Sequence, residues 1–301
     1  MYGKLVKAGS YMSRTYQINK ELGSGGSGTV YLAWHRRLRK HVVIKVAKNR
    51  SVGMIEVRRN EVEALKNIKN MHIPQVLDFL AEKDYSFTIM EYIEGESFDK
   101  LLKQGERFIE TDIIRWYKQI ASALDAIHDH DVCHRDIKPA NIILTKKGDV
   151  CLIDFNSALV SGNKIRMISR SMGYASPEQY DYFMLCKNAF EDASKASFDY
   201  METAMIASDC KTTPIPEQNL PNRHGAHEID WKLSDIYSLG ATIYHLLTGN
   251  RPPVKKEELE KISSLKGYSQ GILEIIERSM RIKPSDRFIS AKALISALQN
   301  N

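Results

Sequence analysis

One short run of residues, His134-Arg135-Asp136-Ile137-Lys138-Pro139-Ala140-Asn141, constrains this chain more than any other segment. It places a carboxylic acid, a lysine and an amide close together. Thirteen residues after Asn141, Asp154-Phe155-Asn156 supplies a second carboxylate. A site that moves a phosphoryl group needs a group that accepts a hydroxyl proton, a cation that neutralises phosphate and oxygen atoms that hold a metal ion. The two segments therefore predict one site, which the rest of the chain must position.

The composition is that of an ordinary globular chain, with 301 residues of which 43% are hydrophobic and 27% charged. This length is enough for one large domain or two lobes. No apolar run approaches the roughly 18 residues of a membrane-spanning helix, and the first residues lack the apolar stretch of a signal peptide. The four cysteines form no Cys-x-x-Cys pair. We therefore expect free thiols in a cytoplasmic protein.

The net charge of +6 is distributed unevenly. The first 70 residues hold 15 Lys or Arg against 4 Asp or Glu, whereas the remainder holds 28 against 33. The densest basic patch is Arg36-Arg37-Leu38-Arg39-Lys40-His41. It is either a solvated turn between two strands or a docking surface for an anionic partner or lipid.

The first third of the chain is predicted to form strands around one main helix. Residues 15–22 alternate apolar and polar, as a half-buried strand does, and Val42-Val43-Ile44-Lys45-Val46 is rich in β-branched residues. Residues 54–69 carry apolar positions at helical spacing. The predicted strands are 15–22, 29–34, 42–46, 76–81 and 86–91.

The remainder of the chain is predicted to be mostly helical. Thr111-Asp112 is expected to cap a helix with a regular apolar face. The nearly all-apolar segment from Ser234 to Leu247 is expected to be a core helix that ends at Gly249. Further helices are predicted at 271–281 and 290–299. The fold class is therefore α+β, with a small antiparallel β lobe followed by a larger helical lobe.

A glycine-rich turn joins the first two predicted strands. Residues 23–30, Gly-Ser-Gly-Gly-Ser-Gly-Thr-Val, follow the pattern G-x-G-x-x-G-x-V. Dinucleotide-binding folds use a similar glycine pattern, but there it opens a helix, whereas here strands flank both sides. Glycines let the backbone approach phosphates and offer its N–H groups to them. A plain hairpin turn is the alternative.

In their order and spacing, these segments resemble the glycine-rich, catalytic and metal loops of a protein kinase. Gly173-Tyr174-Ala175-Ser176-Pro177-Glu178 is similar to the motif that closes a kinase activation segment. The resemblance covers about residues 15–300 and is strongest to the eukaryotic-like (Hanks-type) Ser/Thr kinases of bacteria. It implies the two-lobed kinase fold, with an N-terminal extension at 1–14, an N-lobe at 15–93 and a C-lobe at 94–301.

The resemblance implies roles for four residues of the two loops. Asp136 would accept the proton of the substrate hydroxyl, and Lys138, which is typical of Ser/Thr kinases, would neutralise the transferring phosphoryl group. Asn141 and Asp154 would hold Mg²⁺, the usual ion where oxygen ligands and phosphates share a site.

Lys45 lies within an apolar strand, where a charge is costly unless it is paired. The resemblance implies that Glu61 pairs with it and that Lys45 then contacts the α- and β-phosphates of ATP. Glu63 is a rival partner, and an unpaired Lys45 that extends its amine to water is another alternative. The implied nucleotide contacts are Gly23, Gly25, Gly28, Val30, Val43, Lys45, Met90, Glu91, Ile93 and Ile143.

The resemblance also implies supporting contacts around the site. The expected contacts are His134 against Phe155, Glu178 with Arg287, Asp235 with the catalytic-loop backbone, and Ser171 with the catalytic Asp and Lys. Arg135 would receive an activation-loop phosphate. Ser169 is our hypothesis for the phosphorylated residue, and Ser171 is a further regulatory candidate.

The sequence departs from the kinase pattern at three places. Asn156 stands where glycine is usual, which predicts a stiffer metal loop, and Val43 replaces an alanine above the adenine. The third departure is the 57 positions between Glu178 and Asp235, which indicate an insert at about 181–228. Its first part is expected to be helical, its second part, 213–221, a loop, and the whole to enlarge the substrate platform or bind a partner. A zinc site at Cys186, Cys210, His224 and His227 is a weaker alternative, because the spacing fits no common site.

Together these features predict an ATP- and Mg²⁺-dependent Ser/Thr protein kinase with protein substrates. Autophosphorylation is expected, and nucleic-acid binding is not. The alternatives are a pseudokinase scaffold that binds without catalysis and a nucleotide-dependent enzyme acting on a small metabolite. Lys45, Asp136 and Asp154, which pseudokinases usually lack, argue for the enzyme.

Overall fold

The computed structural model describes residues 11–25, 28–48, 52–82, 84–155, 158–160, 167–194, 210–214 and 229–300. The chain divides into two compact units. The first unit comprises Met1–Lys69 and Pro74–Glu94, and the second comprises Asn70–Ile73 and Gly95–Asn301.

In its described residues, the first unit is a five-stranded antiparallel sheet accompanied by two helices. The strands lie in the order β1-β2-β3-β5-β4, and each neighbouring pair is antiparallel. The elements are α1 (Tyr11–Thr15), β1 (Tyr16–Gly25), β2 (Gly28–His35), β3 (Lys40–Lys48), α2 (Val52–Lys66), β4 (Val76–Ala81) and β5 (Tyr85–Glu91).

Strand β3 shows why this sheet forms. Val42 and Ile44 are fully buried, whereas Val43 and Lys45 face the other side and are half-buried, as the two-residue period of a strand requires. The core beneath the sheet also takes in Met12 from helix α1. The segment predicted as an N-terminal extension therefore contributes to this core through a helix that the sequence did not predict.

The second unit is mostly helical. The described part of this unit contains three small antiparallel sheets, β6-β8-β9, β7-β10 and β11-β12. The strands are β6 (Gly95–Ser97), β7 (Val132–Cys133), β8 (Ile142–Thr145), β9 (Val150–Leu152), β10 (Leu159–Val160), β11 (Met167–Ser171) and β12 (Cys210–Pro214). The helices are α3 (Phe98–Lys103), α4 (Glu110–His128), α5 (Pro177–Ser194), α6 (Trp231–Thr248), α7 (Lys256–Leu259), α8 (Gln270–Ser279) and α9 (Ala291–Gln299).

Helix α6 is the buried central helix that its apolar sequence predicts. The Asp230 side chain caps its N-terminus by accepting from the amides of Lys232 and Leu233, and Gly249 ends it in the left-handed conformation at φ 70°. A Cβ on Gly240 would lie 2.6 Å from the Cβ of Ser279 on α8. Glycine at this position therefore lets the two helices approach closely.

The predicted cap of helix α4 is wrong by two residues. The helix begins at Glu110 after Ile109, whose side chain makes no capping hydrogen bond. Asp112 lies inside the first turn, where a negative charge is favourable, and its carboxylate pairs with Arg115 at 2.8 Å instead of capping the helix.

The insert forms secondary structure in both of its predicted parts. Helix α5 continues through Phe183 to Ser194, which confirms the helical expectation as far as Ser194, whereas Phe198 and Met201 lie outside the described residues. Thr213 and Pro214 belong to strand β12 and not to a loop, because β12 gains backbone pairing along β11. Asn156 and residues 215–228 lie outside the described residues. None of the described helices is long and apolar enough to span a bilayer.

Candidate active site

The predicted catalytic loop, residues 134–141, is a tight connection between strands β7 and β8. It leads from Cys133 into a 3-10 turn at Pro139–Asn141, where proline occupies the first position and its fixed φ suits the start of the turn. The amide of Asn141 donates to the carbonyl of Lys138 at 2.9 Å. This local folding brings Asp136, Lys138 and Asn141 to one place.

The carboxylate of Asp136 is the centre of a hydrogen-bonded cluster and is only 8% exposed. Lys138 Nζ lies 3.1 and 2.9 Å from its two oxygens, and Ser171 Oγ donates to Oδ1 at 2.8 Å. Asn141 Nδ2 donates to Oδ2 at 3.1 Å and to the Asp136 carbonyl at 2.8 Å. Three side chains therefore fix the direction of this carboxylate.

Ser171 connects the activation segment to this cluster. Its hydroxyl donates to Asp136 and accepts from Lys138 Nζ at 3.2 Å. The expected contact of Ser171 with both residues is confirmed. Because it comes 35 residues after Asp136 in the chain, the activation segment must be folded for the cluster to be complete.

The metal loop is joined directly to the catalytic loop. The amide of Ile153 donates to the carbonyl of Asn141 at 2.8 Å. Asp154 is the next residue in the chain and is therefore held beside this bond. Asp154 has a φ of 66°, a sparsely populated conformation for a residue with a Cβ. Asn141 and Asp154 together offer an amide oxygen and a carboxylate, which are suitable ligands for Mg²⁺.

His134 contacts both loops. Its ring contacts the Phe155 ring edge to face at 4.7 Å between centroids, as expected. Its Nδ1 lies 3.3 Å from the amide nitrogen of Asp136, and its Nε2 lies 3.1 Å from the carbonyl oxygen of Ile153. One neutral tautomer, protonated at Nε2, satisfies both contacts.

Asp235 of helix α6 anchors the catalytic loop from within the core. Its Oδ1 accepts from the Arg135 amide at 2.7 Å, and its Oδ2 accepts from the His134 amide at 2.8 Å and lies 3.0 Å from His128 Nε2. The predicted anchoring role is confirmed. Arg135 has a φ of 61°, so these bonds stabilise a strained backbone.

Asp235, His128 and Cys133 form a buried group whose ligand atoms lie within 4.8 Å of one another. Burial, and then the Asp235 charge, raise the pKa of the Cys133 thiol well above its usual range. Both carboxylate oxygens of Asp235 already accept hydrogen bonds, from the His134 and Arg135 amides. We therefore interpret this group as a hydrogen-bonded anchor. The side chains of the weaker zinc alternative, Cys186, Cys210, His224 and His227, lie outside the described part of the chain.

The motif that closes the activation segment is held by a buried ion pair. Arg287 is fully buried, and its Nη1 and Nη2 donate to the two carboxylate oxygens of Glu178 at 2.7 and 2.9 Å. The expected pair is confirmed. The guanidinium also donates to the carbonyls of Leu233, Arg281 and Ile282, so its position is fixed from several sides.

The register of the first unit arranges the predicted nucleotide-binding residues on neighbouring strands. Val30 of β2 lies opposite Lys45 of β3, and Val43 lies opposite Met90 of β5. Gly23 and Gly28 lie on the strands that flank the glycine-rich turn, and Gly25 pairs with Gly28 where the turn closes. Glu91 ends β5 and Ile93 follows it, whereas Ile143 lies on β8 of the second unit.

Gly28 is required by its surroundings. Its φ is 133°, and a Cβ there would lie 2.2 Å from the Val46 carbonyl oxygen. By contrast, a Cβ on Gly23 would meet no described atom within 4 Å. Only one of these two glycines is therefore needed for packing.

The expected partner of Lys45 is placed only in part. Glu61 lies on helix α2, but its side chain is outside the described residues. The rival Glu63 lies 3.8 Å from Lys66 in an exposed ion pair. The pairing of Lys45 with Glu61 therefore stays a prediction.

The regulatory candidates occupy different surroundings. Ser169 lies on β11 opposite Thr212 of β12, and its side chain is outside the described part. The Arg135 guanidinium lies 5.1 Å from the centre of the Trp231 ring, and Arg135 is buried. Its predicted role in binding a phosphate stays a prediction.

Three contact residues could not be predicted from the sequence: Ser176, Gln179 and Ser234. Gln179 donates to the carbonyl of Arg135 at 2.8 Å, and Ser234 donates to Gln179 at 3.1 Å. The available indication was that these polar residues lie in or beside helical segments with strongly apolar neighbours. Nothing in the sequence pattern identified the partners of their hydrogen bonds.

Comparison with known proteins agrees with this geometry. The model of the protein kinase domain family matches residues 16–189, which is more than half of the chain. The chain therefore belongs to the protein kinase domain family, and the expected two-lobed α+β kinase fold is confirmed.

Two of the relatives are named as probable Ser/Thr protein kinases, and a third is named as a protein kinase. One "probable serine/threonine-protein kinase" of Clostridium acetobutylicum is 28% identical over 97% of this chain and 40% of the relative. Another, of Clostridium perfringens, is 27% identical over 97% of this chain and 39% of the relative. A carbon catabolite-derepressing protein kinase of Saccharomyces cerevisiae is 33% identical over 54% of this chain. The chain spans about two fifths of the length of the clostridial relatives.

Proposed function

We propose that this chain is a Ser/Thr protein kinase, which transfers the γ-phosphoryl group of ATP to protein hydroxyls and also phosphorylates itself. The observation that carries the proposal is the oriented carboxylate of Asp136, held by Lys138, Ser171 and Asn141. A general base must be fixed within hydrogen-bond reach of the proton that it takes. The relatives named as Ser/Thr kinases support the same activity.

Asp136 accepts the proton of the substrate hydroxyl while the oxygen of that hydroxyl bonds to the γ-phosphorus of ATP. The bond from that phosphorus to the β,γ-bridging oxygen breaks, and ADP leaves with the bonding electrons. Lys138, whose Nζ lies 2.9 Å from Asp136, stays close enough to neutralise charge on the transferring group. Catalysis of this kind depends mainly on positioning and electrostatic stabilisation.

Asn141 and Asp154 are the proposed ligands of Mg²⁺. They fit this ion because they offer oxygen atoms on two loops joined by the bond from Ile153 to Asn141. Bound Mg²⁺ neutralises phosphate charge. Gly23, Gly25, Gly28, Val30, Val43, Lys45, Met90, Glu91, Ile93 and Ile143 remain the proposed nucleotide contacts, and Glu61 remains the proposed partner of Lys45.

The activity is tested with purified protein, Mg²⁺ and labelled ATP. Wild-type protein should label itself and a generic protein substrate on serine and threonine, whereas Asp136→Ala and Lys45→Met should not. Substituting Asp136 should cost about 10²–10⁴-fold in rate, the usual contribution of a general base. Wild-type labelling no greater than that of the two variants would exclude the enzyme and favour the pseudokinase scaffold. Labelled phosphotyrosine alone would exclude Ser/Thr specificity.

We propose different effects for phosphate on the two candidate serines. Ser169 stays our proposed activating site, and its test is phosphopeptide mapping of active protein, where no modified serine in 157–171 would refute it. Ser171 is buried and donates to Asp136. A phosphate there would bring negative charge against that carboxylate, so we propose that it would inhibit.

We propose that this chain is cytoplasmic and that its insert enlarges the substrate platform or binds a protein partner. Support comes from strand β12, which runs antiparallel along β11 from Met167 to Ser171. Thr212→Pro should weaken this pairing, because proline cannot donate to a strand ladder, and should raise the KM for a protein substrate more than that for ATP. An unchanged protein-substrate KM would contradict the platform role.

A further inference from the structure

Gln179 is a buried polar residue to which no catalytic step has been assigned. It lies in the first turn of helix α5, directly after the ion-paired Glu178, and is 2% exposed. Its Nε2 donates to the carbonyl of Arg135 at 2.8 Å, and its Oε1 accepts from Ser234 Oγ at 3.1 Å. Both ends of the amide therefore have partners.

Ser176 completes this arrangement. Its Oγ lies 2.8 Å from Ser234 Oγ and accepts from the backbone nitrogen of Gln179 at 3.3 Å. Ser176 and Ser234 are both fully or nearly fully buried. Because every one of these groups is buried and bonded, the Gln179 side chain has one preferred orientation.

The bond to Arg135 acts on the peptide unit next to the catalytic acid. The carbonyl of Arg135 accepts from Gln179, and the amide nitrogen of Asp136 in the same peptide lies 3.3 Å from His134 Nδ1. A planar peptide held at its oxygen and at its nitrogen cannot rotate without losing both bonds. The direction in which Asp136 leaves the backbone depends on this plane.

The backbone at this point is strained. Arg135 has a φ of 61°, a sparsely populated conformation for a residue with a Cβ. Such strain persists only where the surroundings impose it. Asp235 holds the amide side of Arg135, and Gln179 holds the carbonyl side. Removing either bond would let the peptide relax toward an ordinary conformation.

We propose that Gln179 is a positioning residue for Asp136. It couples the closing segment of the substrate platform, Ser176 to Gln179, to the orientation of the catalytic carboxylate. This inference rests on the proposed kinase function. The Asp136 carboxylate is thereby controlled by the activation segment at two points: Ser171 contacts it directly, and Gln179 fixes its backbone.

The test is Gln179→Glu, which keeps the shape of the side chain and the acceptor for Ser234 but replaces the donor that faces Arg135. The expected result at pH 8 is a fall in kcat of about 10- to 100-fold, since displacing a catalytic group by about 1 Å can cost about 100-fold. The KM for ATP should stay within about twofold. As the pH falls toward 6, kcat relative to wild type should rise, because a buried carboxyl group takes up a proton more readily and then donates again.

Gln119→Glu is the matched control. Gln119 also uses both ends of its amide, donating to Asp149 at 2.7 Å and accepting from the Val150 amide at 3.0 Å. Neither of these two partners belongs to residues 134–141 or 154–156 of the site. It should lose thermal stability and keep kcat within about twofold of wild type. A Gln179→Glu kcat that matches this control, or a ratio to wild type that does not change with pH, would overturn the positioning role.

Amide hydrogen exchange gives a result that does not depend on activity. In Gln179→Glu at pH 8, the His134, Arg135 and Asp136 amides should exchange at least about tenfold faster than in wild type, whereas in Gln119→Glu they should not. Unchanged exchange would overturn the inference. If wild-type protein is inactive but exchange responds as expected, the kinase proposal has failed and the coupling stands. If Gln179→Glu does not fold, Gln179→Met takes its place, with the same expectations for kcat and exchange at pH 8.

Discussion

Removal of the Glu178 carboxylate should destabilise the second unit strongly, because it leaves the fully buried Arg287 without its counter-ion. The guanidinium donates two hydrogen bonds to Glu178 at 2.7 and 2.9 Å. The perturbation is Glu178→Ala, and the quantity to compare is the free energy of unfolding.

The magnitude follows from the contacts and the burial. Hydrogen bonds to charged groups contribute about 1.5–3 kcal/mol each, and breaking a buried ion pair typically costs about 3–5 kcal/mol. Glu178 is 17% exposed, whereas Arg287 is 0% exposed, so water can reach the vacated position. The carbonyls of Leu233, Arg281 and Ile282 still solvate part of the cation. We therefore expect the lower end of the range, a loss of about 3 kcal/mol.

The assay is urea unfolding followed by circular dichroism for Glu178→Ala, Arg287→Met and the double variant. The double variant should lose about 2 kcal/mol less than the sum of the two single variants, because no buried charge is then left unpaired. The control is Asp99→Ala, whose carboxylate lies 2.8 Å from Lys103 in an exposed pair and should matter by about 1 kcal/mol or less. A loss for Glu178→Ala no greater than for Asp99→Ala, or strictly additive variants, would refute this reasoning.

Three further predictions concern the glycine-rich turn, the activation segment and pH. Gly28→Ala should lower the free energy of unfolding by about 1–3 kcal/mol, because the added Cβ would lie 2.2 Å from the Val46 carbonyl oxygen. The control, Gly23→Ala, should change the free energy of unfolding by less than about 0.5 kcal/mol. Equal unfolding midpoints for the two variants would contradict this prediction. Ser171→Ala should lower kcat by about tenfold or more, because Asp136 loses a donor, whereas Ser171→Thr should keep most activity in the same assay; equal kcat values would argue against this role. Burial, followed by the Arg251 charge, lowers the pKa of His245 below its usual 6.5, so its contribution to stability is fully present above pH 6.5 and is lost as pH falls through the lowered pKa. The urea midpoint should therefore fall more between pH 7.5 and pH 5.5 for wild type than for His245→Gln. An equal fall in both proteins would contradict the lowered pKa of His245.

Much of the fold was predictable, because its patterns are local. The strand at 76–81 matches β4, and the apolar run from Ser234 to Leu247 lies within α6. The errors occurred where tertiary contacts override local preference. The sequence at Thr213 and Pro214 predicts a loop, but backbone pairing with β11 makes these residues part of a strand. Helix α1 was missed because its five residues are too few to show a helical period, although Met12 is buried in the core.

The site divides in a similar way. His134, Asp136, Lys138 and Asn141 could be selected as a group, because the chemistry is concentrated within eight residues. The resemblance to kinases then supplied distant contacts that the structure confirms, including Asp235 with the catalytic loop and Glu178 with Arg287. Gln179 could not be found in this way, since its partner Arg135 lies 44 residues earlier and an isolated glutamine gives no indication of its partner.

The sequence by itself therefore determined which groups are available for the proposed phosphoryl transfer and where most of the strands and helices form, because both depend on neighbouring residues. Only the tertiary structure decided how those groups are oriented. The direction of the Asp136 carboxylate depends on Ser171, and its backbone plane depends on Gln179. The strained Arg135 backbone is held by Asp235 of a helix about 100 residues away. Hydrogen bonds between distant segments form only when the chain has folded, and their distances and angles are set by packing that no local pattern records.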